Sequence, residues 1–121
     1  MRKFLHLRIR VKNTEKTVKF YTENFGLEVL REKESPRGNK LTFLSLPNNN
    51  AVLELCEFPS DINKDFRIED DLFHMAFEVE SMSKTFKEMT ERGVKFTEGS
   101  ANDTMTFIED PDGYEIELIE K

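Results

Sequence analysis

The chain is poor in several residue types, and each scarcity excludes something. One cysteine, Cys56, stands among 121 residues. It leaves no partner for an intrachain disulfide and fits a reducing cytoplasm. No apolar run approaches the length of a membrane span, so no membrane partner is expected. The first residues lack the apolar segment of a secretory leader. Basic residues number 18 against 24 acidic, a net charge of −6. That deficit excludes nucleic acid as an expected partner, because phosphate binding needs a basic surface. The length supports one compact domain and is too short for two independent ones. Charged residues reach 35%, so the surface is expected to be strongly ionic.

Histidine is almost as scarce, and its placement is the first positive signal. The two histidines, His6 and His74, fall at matching points of an internal repeat. At an offset of 68, His6 meets His74, Val11 meets Val79, Lys16 meets Lys84 and Thr17 meets Thr85. Further on the offset shrinks. Thr42, Phe43 and Pro47 meet Thr106, Phe107 and Pro111 at 64, and Glu54 meets Glu117 at 63. Losses of this kind gather in loops as a structural duplication decays.

Each copy opens with a strand. Leu5, Leu7, Ile9 and Val11 alternate with Phe4, His6, Arg8 and Arg10, the period-two pattern of a strand with one apolar face. A helix follows, with Asn13 or Thr14 as cap, Val18, Tyr21 and Phe25 at helical spacing, and Gly26 as its left-handed stop. In the second copy Ser81 or Ser83 caps, Phe86 and Met89 face inward, and Gly93 ends the helix. Three short strands complete each copy, at about 27–33, 40–46 and 51–57, then about 94–98, 104–109 and 114–120. Pro47-Asn48-Asn49-Asn50 and Asp110-Pro111-Asp112-Gly113 read as hairpin turns. The expected fold class is α+β, two tandem βαβββ modules with curved mixed sheets. Module one spans about 1–58 and module two about 72–121, joined by a polar connection at about 59–71.

His6, Glu54, His74 and Glu117 all alternate with residues expected to face a core, which places them on the other side of their strands. Taken singly, a His or Glu on such a strand is ordinarily a solvated side chain. The coincidence of the two histidines weighs against that reading. Glu115 shares a face with Glu117, so spacing alone does not choose between them; the matching contexts Leu53-Glu54-Leu55 and Ile116-Glu117-Leu118 favour Glu117. Imidazole nitrogen and carboxylate oxygen together suit a divalent transition metal. Cys56 reads as a buried structural thiol, and Phe43, Phe73, Phe77 and Phe107 as core.

At these residues the chain resembles the vicinal oxygen chelate superfamily, and within it the glyoxalase I family. The resemblance covers nearly the whole chain. It is carried by the stretch from Leu5 to Val11, by Phe20-Tyr21-Thr22-Glu23-Asn24-Phe25-Gly26-Leu27, by Ala51-Val52-Leu53-Glu54-Leu55 and by Phe73-His74-Met75-Ala76-Phe77. The closing run Glu109-Asp110-Pro111-Asp112-Gly113-Tyr114-Glu115-Ile116-Glu117-Leu118 is the most specific piece. The resemblance implies a metal held by His6, Glu54, His74 and Glu117. It implies Ni²⁺ or Co²⁺ first, the choice typical of compact members, and Zn²⁺ second.

The implied activity is that of a carbon–sulfur lyase. A 2-oxoaldehyde such as methylglyoxal and a small-molecule thiol form a hemithioacetal, which is isomerised through an enediolate to a 2-hydroxyacyl thioester. The family pattern makes Glu117 the better base, with Glu54 serving the other stereoisomer or holding the metal. It also makes Arg10 a grip for the carboxylate of the thiol. Two positions depart from that pattern. Phe58 stands where an asparagine is expected, and the loop 97–104 lacks a lysine, so the thiol is left unassigned. The same scaffold also hosts metal-dependent epimerases, thiol transferases and metal-free resistance proteins that bind small molecules, and these are the alternative readings. A homodimer is expected by the same resemblance.

Overall fold

The computed structural model describes residues 1–46, 50–68 and 71–121. Pro47, Asn48 and Asn49 of the first expected hairpin turn lie outside the described residues, as do Glu69 and Asp70 of the expected connection. The chain divides into two compact units, Met1–Asp65 and Phe66–Lys121.

Unit 1 runs β1 (Leu7–Arg10), α1 (Thr14–Phe25), β2 (Glu28–Glu34), β3 (Lys40–Ser45) and β4 (Val52–Glu57), followed by a 3₁₀ turn at Pro59–Asp61. Unit 2 repeats the order with β5 (Met75–Val79), α2 (Met82–Glu91), β6 (Phe96–Glu98), β7 (Met105–Glu109) and β8 (Glu115–Glu120). Each unit holds a four-stranded sheet, ordered β1-β4-β3-β2 in one and β5-β8-β7-β6 in the other. The first and last strands of each unit are parallel, and the remaining pairs are antiparallel. This is the expected α+β architecture of two βαβββ modules.

Local chemistry explains the helix boundaries. Asn13 caps α1 by accepting from the Lys16 amide at 3.1 Å, and Ser81 caps α2 by accepting from the Lys84 amide at 3.3 Å. A second carboxylate acceptor is repeated in both units. Glu57, at the end of β4, accepts from the Thr14 amide at 2.8 Å, and Glu120, at the end of β8, accepts from the Met82 amide at 2.9 Å. Negative charge at a helix N-terminus is favourable, and here it ties the last strand of each unit to its helix. Gly26 stops α1 with φ of 69°, a conformation that favours glycine.

One face of each sheet is core. Ile9, Leu44, Leu53 and Leu55 are buried on the same face of unit 1, where α1 lies against β4 with Tyr21 fully buried. Ile108, Ile116 and Leu118 are fully buried in unit 2, where α2 lies against β8 and contributes Met82 and Met89. The first strands are shorter than their alternation suggests. Pairing begins at Leu7 with Leu53 and at Met75 with Ile116, so both histidines stand just before their strands. Leu5 and Phe73 beside them are 63% and 43% exposed, not core as expected. Among the described residues no helix is long and apolar enough to cross a membrane.

Candidate functional site

The face of the unit 1 sheet opposite the α1 side is organised in rows across the strands. Arg8 pairs with Glu54, Glu54 with Phe43, and Phe43 with Arg31. The next row reads Arg10, Cys56, Leu41 and Lys33. Strand alternation puts all eight on one face.

Glu54 is only 1% exposed. A carboxylate so buried requires charged or hydrogen-bonding partners, and it has them on both oxygens. Oε1 lies 2.7 Å from His6 Nε2. Oε2 accepts from Arg8 Nε at 3.0 Å and from Arg8 Nη2 at 2.7 Å. These bonds to Glu54 raise the Arg8 pKa above its ordinary value. His6 stands edge-on to Phe43 with ring centroids 5.9 Å apart, and the Arg31 guanidinium lies 4.3 Å above the same ring. Phe43 is buried in a cluster with Leu41 and Cys56. It belongs to an apolar core, as expected, but on the face that carries Glu54. Burial of Cys56 pushes its thiol pKa up.

Arg10, which the resemblance makes a grip for the thiol, is engaged by Asp61 within unit 1. Its Nη2 donates to Asp61 Oδ1 at 2.7 Å, its Nε donates to Asp61 Oδ2, and its guanidinium stacks 4.1 Å from the Phe58 ring centroid. Asp61 is fully buried, and Lys64 Nζ lies 3.4 Å from it. The hydrogen bonds from Arg10 hold the Asp61 carboxyl below its ordinary pKa, and Lys64 adds to the effect.

Unit 2 repeats the His, Glu and Phe of this arrangement, with Ala76 in the place of Arg8 and Glu98 in the place of Arg31. Ala76 pairs with Glu117, and Glu117 with Phe107. His74 Nε2 lies 3.2 Å from Glu117 Oε1, and its ring stands edge-on to Phe107 at 5.6 Å. The other ring nitrogen, Nδ1, lies 3.9 Å from Asp71 Oδ1 and 3.9 Å from Glu115 Oε1. Ligand atoms of Asp71, His74 and Glu115 all lie within 4.8 Å of one another. Partial burial raises the Glu115 pKa, and the negative charge of Asp71 raises it further.

Thus His6 meets Glu54 within one unit, and His74 meets Glu117 within the other. Glu115, which spacing alone did not separate from Glu117, attends the opposite nitrogen of the same imidazole. Sequence reasoning missed the part that four residues play here. Arg8 carried a readable signal, since it alternates in phase with His6. Phe43 and Phe107 carried another, since the repeat superposes them. Asp71 carried little: it stands three residues before His74, in a loop with φ of 46°.

Spacing between donor atoms offers a test of fit to a metal. Neighbouring ligands on an ion with bonds of about 2.0–2.2 Å stand roughly 3 Å apart. The two His–Glu separations, 2.7 and 3.2 Å, bracket that value, and all the donors are imidazole nitrogen or carboxylate oxygen.

A family model described as the Glyoxalase/Bleomycin resistance protein/Dioxygenase superfamily matches residues 3–118. The chain is 34% identical over 142 residues to a protein named "Glyoxalase I" from Saccharomyces cerevisiae, covering 94% of this chain and 43% of that one. It is 32% identical to a "Probable lactoylglutathione lyase" from Synechocystis sp., covering 96% of this chain and 93% of that one. The chain spans less than half the length of the yeast and plant relatives it matches. Among solved structures, the trypanothione-dependent glyoxalase I of Leishmania major aligns with a TM-score of 0.87 at 31% identity, covering 99% of this chain and 87% of that one.

Proposed function

This chain belongs to the glyoxalase/bleomycin resistance protein/dioxygenase superfamily, and from that premise we propose that it is a metal-dependent, glyoxalase I-like carbon–sulfur lyase. Its substrate is the hemithioacetal of a 2-oxoaldehyde, methylglyoxal in the first instance, and a small-molecule thiol. Its product is the 2-hydroxyacyl thioester. The observation that carries the reading is the repeated His–Glu pair, made at equivalent positions of the two units by His6 with Glu54 and by His74 with Glu117. The names of the relatives point the same way.

On this reading His6, Glu54, His74 and Glu117 are the ligand set of one divalent ion. Ni²⁺ or Co²⁺ is our first assignment and Zn²⁺ our second, and the donor set suits all three. The ion supplies positive charge where negative charge develops on the two neighbouring oxygens of the substrate. The chain supplies the proton transfer: Glu117 takes a proton from the carbon bearing sulfur and returns it to the adjacent carbon. Glu54 holds. Phe43 and Phe107 give each histidine an apolar edge that limits its rotation. Arg10, oriented by Asp61 and Phe58, is the contact for an anionic end of the thiol.

A reducing cytoplasm fits the single buried thiol of Cys56. Leu5 of unit 1 is 63% exposed and Leu72 of unit 2 is 85% exposed, and we propose that each takes part in the interface of a homodimer.

The test is direct. Protein loaded with Ni²⁺, Co²⁺ or Zn²⁺ is mixed with methylglyoxal and, in turn, glutathione, other cellular thiols and simple neutral thiols. Thioester formation, followed by ultraviolet absorbance, is expected with at least one of them. Metal-loaded protein that is inert with every thiol would sink the reading. Protein with no affinity for any of these ions would point instead to a metal-free binding protein.

A further inference from the structure

The duplication places a carboxylate opposite the second residue of each unit's first strand, and at that residue the two copies part. Arg8 lies across the sheet from Glu54, whereas Ala76 lies across from Glu117. Glu54 therefore has both oxygens engaged, Oε1 by His6 and Oε2 by two N–H groups of Arg8. Its side chain is 2% exposed. Glu117 meets His74 through Oε1, and its side chain is 20% exposed. The methyl group of Ala76 offers it no hydrogen bond.

We infer that Arg8 is a positioning residue that pins Glu54 in a holding role and leaves proton transfer to Glu117. The inference rests on the lyase reading above and deepens it. A carboxylate that acts as base has to turn an oxygen toward the reacting carbon. For Glu54 that turn breaks two charge-assisted hydrogen bonds to a carboxylate that is itself buried. For Glu117 it gives up one contact with His74 and proceeds toward solvent-accessible space. The step balances within the substrate. The C–H bond beside sulfur breaks, its proton passes to a Glu117 oxygen, and its electron pair stays with the substrate. The same carboxyl then delivers the proton to the neighbouring carbon, the hydroxyl proton passes from the oxygen beside sulfur to the oxygen on that neighbouring carbon, and there is no net oxidation. A consequence is stereochemical: the hemithioacetal isomer that turns its C–H toward Glu117 is the one converted directly.

The test uses Co²⁺-loaded full-length protein and the thiol adduct that turns over best. Glu117→Gln alone is expected to lower kcat on the order of 100-fold or more, the usual scale for a lost general base. Adding Arg8→Met frees Glu54 to serve, so the double variant is expected to recover about tenfold of that loss. Equal rates for the single and double variants, each carrying one Co²⁺ per chain, would overturn the inference.

A second measurement does not depend on turnover. Co²⁺ affinity, read by competition with a chromophoric chelator, is expected to fall on the order of tenfold in Arg8→Met, the lower end for a lost partner of a metal ligand. Arg8→Lys keeps a cation beside Glu54 and is expected to restore most of it. If the wild type proves inert with every thiol, the lyase reading fails, and the Co²⁺ measurement alone judges Arg8. An affinity unchanged to within about twofold in Arg8→Met would then overturn the pinning role.

Discussion

Asp61 shows how much a single residue contributes to the lining of this face. It is a fully buried carboxylate whose charge is answered by the fork of Arg10 and by Lys64. Its pKa lies below the ordinary value in the folded chain and near about 3.9 when unfolded. Above pH about 4 the folded state holds the ionised form more tightly than the unfolded chain does, so the stabilisation is fully present. As pH falls through the depressed folded pKa, Asp61 is protonated in both states and the stabilisation is lost. Asp61→Asn is therefore expected to cost about 1.5–3 kcal/mol near neutrality, the scale of hydrogen bonds to a charged group. The gap between variant and wild type should shrink steadily below pH about 4. Urea unfolding at neutral pH and again in acid measures both. A gap that stays constant across that range would show that Asp61 acts by packing and not by charge.

At the scale of elements, Gly99 is the most closely enclosed glycine of unit 2. Gly99 follows β6 with φ of 84°, and a Cβ there would stand 2.7 Å from Thr106 Cγ2 and 2.9 Å from the Met105 carbonyl oxygen. The carbonyl belongs to a paired strand and cannot retreat without breaking the ladder. Gly99→Ala thus adds collision to the cost of positive φ, roughly 1–3 kcal/mol for the backbone alone. Gly26→Ala, where a Cβ meets nothing within 4 Å, carries only the backbone cost of about 1–2 kcal/mol. Thermal or urea unfolding should rank the two losses in that order, and the reverse ranking would refute the collision.

The elements themselves were readable because each depends on local pattern. The alternation in Leu7–Arg10 and Val52–Glu57, the caps at Asn13 and Ser81, and the stop at Gly26 all arise within a few residues of chain. What escaped the reading depends on pairing between distant strands. The parallel register of β1 on β4 sets Arg8 against Glu54, and nothing near either residue announces that partner. The same holds for Arg10, to which the family resemblance gives a gripping role. Its fork is met by Asp61 from a 3₁₀ turn placed only when β4 is laid down. The histidines illustrate the opposite limit. Their alternation continues the strand pattern, yet the parallel ladder starts one residue later, which leaves both at strand entrances with exposed apolar neighbours.

At the scale of the whole molecule, the duplication makes a quantitative demand. Each unit supplies one imidazole and one carboxylate in contact. Two such donors are too few to hold a divalent transition ion firmly, whereas four with added water or substrate match the usual coordination. If the two pairs serve one ion, as proposed, metal titration should saturate at about one ion per chain and not two. Removing either histidine should then remove the same site. His6→Ala and His74→Ala are each expected to abolish tight binding, and the double variant should bind no worse than either single one, because effects within one functional unit are not additive. Independent half-sites would behave differently: each single variant would keep half the metal, and only the double variant would lose it all. Equilibrium dialysis with elemental analysis on the three variants separates these outcomes. Half-retention in the single variants would break the link between the repeat and a single centre, and with it the lyase reading that needs all four ligands together.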